Sequence, residues 1–266
     1  MSVDPITPVP TLKLDGSMPT AILSALPQEQ SGLLAQLVQP QHLQHAGRSF
    51  WRGTLHGQRV VLALSGIGKV AAATTATALI ERFGVARIVF TGVAGGVGAG
   101  VQVGDVVVAQ DYVQHDMDAS PLFARWELPG YGRQRLACDA ALSALLLEAA
   151  CACVSMAGGH FGLKYQAGHP RVHYGLVASG DRFVASAHEA HRLRTALLTG
   201  GHEVLAVEME GAAVAQVCHD YGLPFAAVRT ISDRADDSAH IDFPQFVRTV
   251  ASRYAERIVQ GLLQKL

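Results

Sequence analysis

Along most of this chain, short apolar runs with strand character alternate with runs of helical period. That alternation restricts the fold more than any other feature. Thr20–Leu26 (TAILSAL) reads as a buried strand stopped by Pro27, with a helical pattern from Gln28 to about Val38. Ser49–Leu55 and Arg59–Ser65 predict a hairpin around His56-Gly57. Gly66-Ile67-Gly68 turns the chain into an Ala/Thr-rich helix, Lys69–Phe83. Arg87–Thr91 is a buried strand feeding a Gly-rich loop, Gly92–Gly100, and Asp105–Ala109 and Tyr112–His115 are two further strands. A helix over Asp139–Cys153, a strand over Gly175–Ser179 and a helix over His188–Leu198 follow. The last part holds strand Val204–Val207, helix Met209–Tyr221, strand Phe225–Ile231 and a closing amphipathic helix, Phe243–Lys265.

This order predicts an α/β fold: a single domain whose twisted β-sheet is flanked by helices on both faces. The hairpin makes the sheet mixed rather than purely parallel. No linker rich in Pro, Ser or charge divides residues 20–266, and 49% hydrophobic residues suffice for one sizeable core. Residues 1–19, with Pro5, Pro8 and Pro10, read as a flexible leader without the pattern of a signal peptide. Ser155–Val172 lacks a clear period and reads as a surface excursion.

Composition also bounds the partners. A formal net charge of -1 offers no basic field for nucleic acid or an anionic membrane, which leaves small solutes. No apolar run is long enough to span a bilayer. The four cysteines are too few and too clustered for a disulfide framework, which points to a reducing, cytoplasmic setting. Cys151-Ala152-Cys153 lies in an Ala/Leu-rich helical run and reads as packing.

Several motifs fail on spacing. Gly66-Ile67-Gly68-Lys69 lacks the outer glycine and the hydroxyl residue of a phosphate loop. The run from Gly92 to Gly100 does not lead straight into a helix, as a dinucleotide turn must. Both read as tight turns after strands, where backbone can approach a ligand closely. The histidine pairs His42/His45 and His188/His191 do not fit HExxH, so no metal is expected. What remains is a set of acids. Glu29, Glu210 (in Val207-Glu208-Met209-Glu210) and Asp233 (in Arg229-Thr230-Ile231-Ser232-Asp233) each fall just after a predicted strand. Each can be a helix-start or capping acid. Together they can also be three carboxylates delivered to one rim of the sheet, where α/β proteins build their sites.

Six ordered segments then carry a resemblance: Ser65-Gly66-Ile67-Gly68-Lys69-Val70-Ala71-Ala72, Thr91-Gly92-Val93-Ala94-Gly95-Gly96, Val103-Gly104-Asp105-Val106-Val107-Val108, Ser179-Gly180-Asp181-Arg182-Phe183, and the two acidic segments. From about Thr20 to the C-terminus the chain resembles the purine nucleoside phosphorylase-like superfamily, most of all its 5'-methylthioadenosine/S-adenosylhomocysteine nucleosidase branch. The resemblance implies an N-glycosyl hydrolase acting on a nucleoside with water, without a cofactor, as a homodimer. It implies Asp233 as general acid to adenine N7, Glu210 on the ribose 2'- and 3'-hydroxyls, and Glu29 on the attacking water. Phe183 would stack on the purine and the Val184 backbone would read the adenine edge. Met209 would pack beneath the ribose, with Arg229 and Ser232 supporting Glu210 and Asp233. The Val93-Ala94-Gly95 backbone would line the site. Leu26, Ile67, Phe243 and, from a partner subunit, Ala119 and Leu122 would surround the 5'-thioether. Pro27-Gln28-Glu29-Gln30 keeps one acid where many relatives have an acidic run, and Leu122 stands where an aromatic is common.

Glycosidic cleavage fits such residues. It creates an oxocarbenium-like ribosyl cation and an anionic purine, so it needs an acid at the base and a carboxylate near the sugar. The acid must hold its proton near neutral pH, which calls for burial or a neighbouring carboxylate. A phosphorylase is the nearest rival, but Glu29 would repel phosphate and the first-strand loop offers no arginine. A futalosine-type hydrolase and a non-catalytic nucleoside-binding protein are the remaining alternatives.

Overall fold

The structure, a computed structural model, describes residues 18–156, 169–236, 239, 243 and 246–266. The expected leader, apart from Met18 and Pro19, and most of the Ser155–Val172 excursion lie outside the described residues. Strand β1 (Thr20–Ser24) is buried along its whole length, and Pro27 opens helix α1 (Pro27–Ala35), where a missing N–H costs nothing. The helix is shorter than its sequence pattern. Val38 begins a strand, β2 (Val38–His45), which pairs antiparallel with β3 (Arg48–Leu55). Its residues VQPQHLQH are almost all exposed, so no apolar alternation announces it. The expected hairpin is present as β3 and β4 (Gln58–Leu64), with Leu55 opposite Gln58.

Helix α2 (Lys69–Glu81) leads to β5 (Arg87–Gly96), which does not stop at Thr91. Its glycines stay in the strand because β10 (Phe225–Asp233) pairs with it in parallel along its length. The two strands expected around Gln110 are one, β6 (Val106–Gln114), with an irregularity between Ala109 and Asp111 where it pairs with β8 (Val172–Ser179). A single bulged residue therefore mimics a break in the sequence pattern. A short β7 (Arg135–Ala137) precedes α3 (Ala140–Met156), and α4 (Ala187–Thr199), β9 (Val204–Glu208) and α5 (Gly211–Asp220) lead up to β10. The closing helix is composite: a π-helical turn, Val247–Ala251, runs into α6 (Ser252–Leu263).

The sheet is mixed and its order is β10–β6–β8–β9–β5–β1–β4–β3–β2. It also folds back on itself. β10 pairs with both β6 and β5, and β9 reaches β5 through Gly95–Val207 and Gly96–Ala206. Five strands thus close into a ring, from which β1, β4, β3 and β2 extend. Alternate side chains go to opposite faces. Leu23, Ile88 and Phe90 join α2 and α5 in one core, whereas Ile22, Leu62 and Val89 join α1, α3 and α6 in the other. A smaller cluster under α4 includes Ala178, Leu197 and Val204. Phe50, fully buried and stacked on Phe83 at 4.3 Å, anchors the extension. Phe50→Ala is expected to lower the unfolding free energy by about 3–5 kcal/mol in urea denaturation, because a large cavity would replace the ring.

β1, β4, β5 and β10 run in parallel, so their C-terminal ends share one edge. The ring closure brings the end of β9 to the same place.

Candidate active site

At that edge lies a cavity of about 420 Å³. Glu29, Glu210 and Asp233 all line it, each almost fully buried, and they arrive from α1, the start of α5 and the end of β10. Burying three acids costs free energy unless polar groups meet them, and each is met. Glu29 Oε2 accepts the backbone N–H groups of Ala25 (2.9 Å) and Leu26 (2.8 Å), and its Oε1 accepts Val93 N–H (3.1 Å). Burial raises its pKa above the ordinary glutamate value, against those amides and the positive charge of Arg229. Glu210 Oε1 accepts Gly68 N–H at 2.8 Å. Burial and then the adjacent Glu208 push Glu210 up to about 8. Asp233 accepts the Ser232 hydroxyl (2.8 Å) and Ala235 N–H (2.8 Å).

The glycine segments have a local reason. Gly68 sits at φ +96, and a Cβ there would stand 3.1 Å from Asp181 Oδ1. The Gly66–Lys69 turn is thus an amide donor to a carboxylate, not a phosphate cradle. A Cβ on Gly95 would lie 3.0 Å from both Asp233 Oδ1 and Ala235 Cβ. Glycine there lets β5, β9 and β10 converge around Asp233.

The remaining wall is mostly apolar. Leu26, Ile67, Val93, Ala94, Gly95, Val184, Met209 and Phe243 line the cavity with Ser232. Phe183 lies at its mouth, 44% exposed, with its ring 5.6 Å from that of Phe243. Three loops are tied together beside it. Lys69 Nζ bonds Asp116 (2.6 Å) and Gln114 (2.9 Å), while Asp181 accepts Lys69 N–H (2.7 Å) and donates its own N–H to Asp116 (2.9 Å). Asp116 therefore belongs to a tie between loops. Among the described residues, no group of three or more His, Cys, Asp or Glu could hold a metal ion.

Some expected residues lie elsewhere. Arg229 does not line the cavity and does not bond Glu210. It is fully buried, 2.7 Å from Glu208 Oε2, with its guanidinium 4.1 Å from the Phe90 ring. A buried cation needs a buried anion beside it, and Glu208 is nearer than Glu210. Ala119 and Leu122 are not in the wall of their own chain's cavity, and Leu122 is 83% exposed. The residues missed from sequence are Ala25, Arg182, Val207 and Glu208. For Glu208 a signal existed: an arginine inside an apolar strand calls for an acid on a neighbouring strand end.

The family model of the phosphorylase superfamily matches residues 19–264. A 5'-methylthioadenosine/S-adenosylhomocysteine nucleosidase of Shewanella denitrificans is 33% identical over 252 residues, covering 94% of this chain and all of the relative. The chain belongs to the phosphorylase superfamily, in its methylthioadenosine/S-adenosylhomocysteine nucleosidase branch. Solved structures agree. The Neisseria meningitidis nucleosidase in complex with methylthio-immucillin-A is similar with a TM-score of 0.80 and 36% identity, over 93% of this chain and 99% of that one. The futalosine hydrolase of Helicobacter pylori also has a TM-score of 0.80, at 30% identity over 94% and 99%.

For a nucleosidase-branch protein, placement of Asp233 should be exacting. Gly95→Ala is expected to lower kcat/KM for base release about 10- to 100-fold, since a Cβ there would crowd the cavity wall at Asp233 and small displacements within a site cost that much. Steady-state kinetics beside an unchanged circular dichroism spectrum would check it.

Proposed function

We propose that the protein hydrolyses the N-glycosidic bond of adenine 5'-thionucleosides, releasing adenine and the thioribose. One observation carries this reading: the buried carboxyl groups of Glu29, Glu210 and Asp233, from three segments, face one largely apolar cavity, and among the described residues of its wall Arg182 is the single cation. The Glu29 carboxylate, which in this reading faces the nucleophile, would repel phosphate and suits water. The apolar wall suits an uncharged thioether.

In this reading Asp233 gives its proton to N7 as the C1'–N9 bond breaks and its electrons pass to the purine. The Ser232 hydroxyl and Ala235 N–H hold that carboxyl in place. Glu210 holds the 2'- and 3'-hydroxyls. Water adds to C1' and gives a proton to Glu29, whose basicity burial increases. Phe183 stacks on the purine, the Val184 backbone reads its edge, and Met209 packs under the ribose. Val93, Ala94 and Gly95 bring backbone close to the substrate. Leu26, Ile67 and Phe243 surround the 5'-sulfur, joined by Ala119 and Leu122 of a second copy in a homodimer. The exposure of Leu122 supports that contact. The four cysteines are unbonded thiols, which supports a cytoplasmic setting. Among the described residues no helix is long and apolar enough to cross a membrane.

The likeness to a futalosine hydrolase favours one second reading, in which the same machinery takes a bulkier 5'-group. Incubation with methylthioadenosine, S-adenosylhomocysteine, adenosine, inosine and futalosine decides between them. The proposal predicts the highest kcat/KM for the adenine thionucleosides. A preference for futalosine would establish the second reading in its place.

A further inference from the structure

Glu208 has no part in the chemistry proposed above, yet both oxygens of its buried carboxylate are fully engaged. Oε2 lies 2.7 Å from Arg229 Nη2 and 3.3 Å from Nε, and accepts Gly211 N–H at 2.8 Å. Oε1 accepts the Ser179 hydroxyl and, at 3.0 Å and 3.3 Å, the N–H groups of Gly211 and Glu210. Ser179 Oγ in turn accepts Ala212 N–H at 2.8 Å. Three consecutive amides at the start of α5 thus end on Glu208 and its bound serine. At the other end, Arg229 is fixed to β10 and β5 through the carbonyls of Val228 (3.1 Å) and Phe90 (3.0 Å). Four residues later that same β10 delivers Asp233.

We propose that Glu208 is a positioning residue that locks the start of α5, and with it the Glu210 carboxylate, in register with the strand bearing Asp233. The assignment rests on the nucleosidase reading, in which Glu210 grips the ribose hydroxyls. Glu208 also acts on the charge of Glu210. Burial first, and then the negative charge of Glu208, push Glu210 up to about 8, and Glu29 adds to the rise. The Gly68 amide and Arg229 oppose it. Tyr112, a further titratable neighbour, is a buried phenol held neutral well above its ordinary range. Neutralising residue 208 removes a raising influence and leaves Arg229 facing Glu210 alone, so the Glu210 midpoint must fall.

Glu208→Gln in the full chain tests this with two readouts. The first compares kcat/KM for methylthioadenosine and its 2',3'-dideoxy counterpart, which offers Glu210 nothing to hold. The ribonucleoside should lose about 10- to 100-fold, as expected for misplaced charge-assisted hydrogen bonds, and the dideoxy compound should change little. The second follows the Glu210 carboxyl by NMR with carbon-13-labelled glutamate, and its midpoint should move to lower pH. Equal losses on both nucleosides, or an unmoved midpoint, overturn the proposal. If Glu208→Gln does not fold, Ser179→Ala keeps the Arg229 pair and removes only the serine link. It should then show a ribose-selective rise in KM, and an unselective loss overturns the proposal. Should the wild-type protein release no base from either nucleoside, the nucleosidase reading fails by itself, and the Glu210 midpoint alone decides the role of Glu208.

Discussion

Asp233→Asn is expected to reduce kcat for adenine release by about 10²–10⁴-fold, the range general acid help supplies. Asparagine has nearly the same shape: its oxygen can still accept the Ala235 N–H while its NH₂ donates to the Ser232 hydroxyl, which can turn to the Ala94 carbonyl, so the bulged end of β10 should survive. What it lacks is a proton that it can give to N7. A poor purine leaving group would then have to depart as an anion. The same variant should recover most of its rate on a riboside whose leaving group is already a stable anion, such as a nitrophenyl riboside. Loss on both substrates would mean that Asp233 shapes the cavity instead of supplying a proton.

Glu29→Gln should cost a similar factor, about 10²–10⁴-fold in kcat, for a different reason. Its target is the nucleophile, so an activated leaving group should not rescue it. The buried site adds a local penalty. A glutamine oxygen can still accept from Ala25 and Leu26, but its NH₂ must then face Val93 N–H, donor against donor. Calorimetric binding of a transition-state analogue separates these effects. Binding kept with turnover lost supports a role in activating water, and loss of both would place Glu29 in architecture. The raised pKa has a further consequence. A base must be ionised, and burial moves that ionisation upward, so on acidification the Glu29 limb of the rate profile should fall at higher pH than an ordinary glutamate would give.

The sequence carried the parts of this arrangement that depend on local periodicity. The strand-helix alternation is visible because β1, β4, β5 and β10 are buried on both faces and read as continuous apolar runs. Glu29, Glu210 and Asp233 are visible because each follows such a run. β2 is not visible, since an exposed edge strand held by backbone pairing needs no apolar pattern. The closure of the sheet is also silent: its shortest seam, between β9 and β5, is two residue pairs at Gly95 and Gly96, and glycine has no side chain to signal a partner. The pairing of Arg229 with Glu208 across 21 positions is equally nonlocal. Phe183 and the 5'-pocket residues came from family resemblance, because an aromatic after a strand has no periodic signature.

In the proposed reaction an apolar cavity lined by buried carboxyl groups uses water to cut a purine from its sugar. The most direct measurement is chromatography of the products from methylthioadenosine, with and without phosphate. Free adenine and unphosphorylated methylthioribose are expected, formed at the same rate in both buffers. Base release that requires phosphate, with the sugar recovered as its 1-phosphate ester, would contradict the proposal.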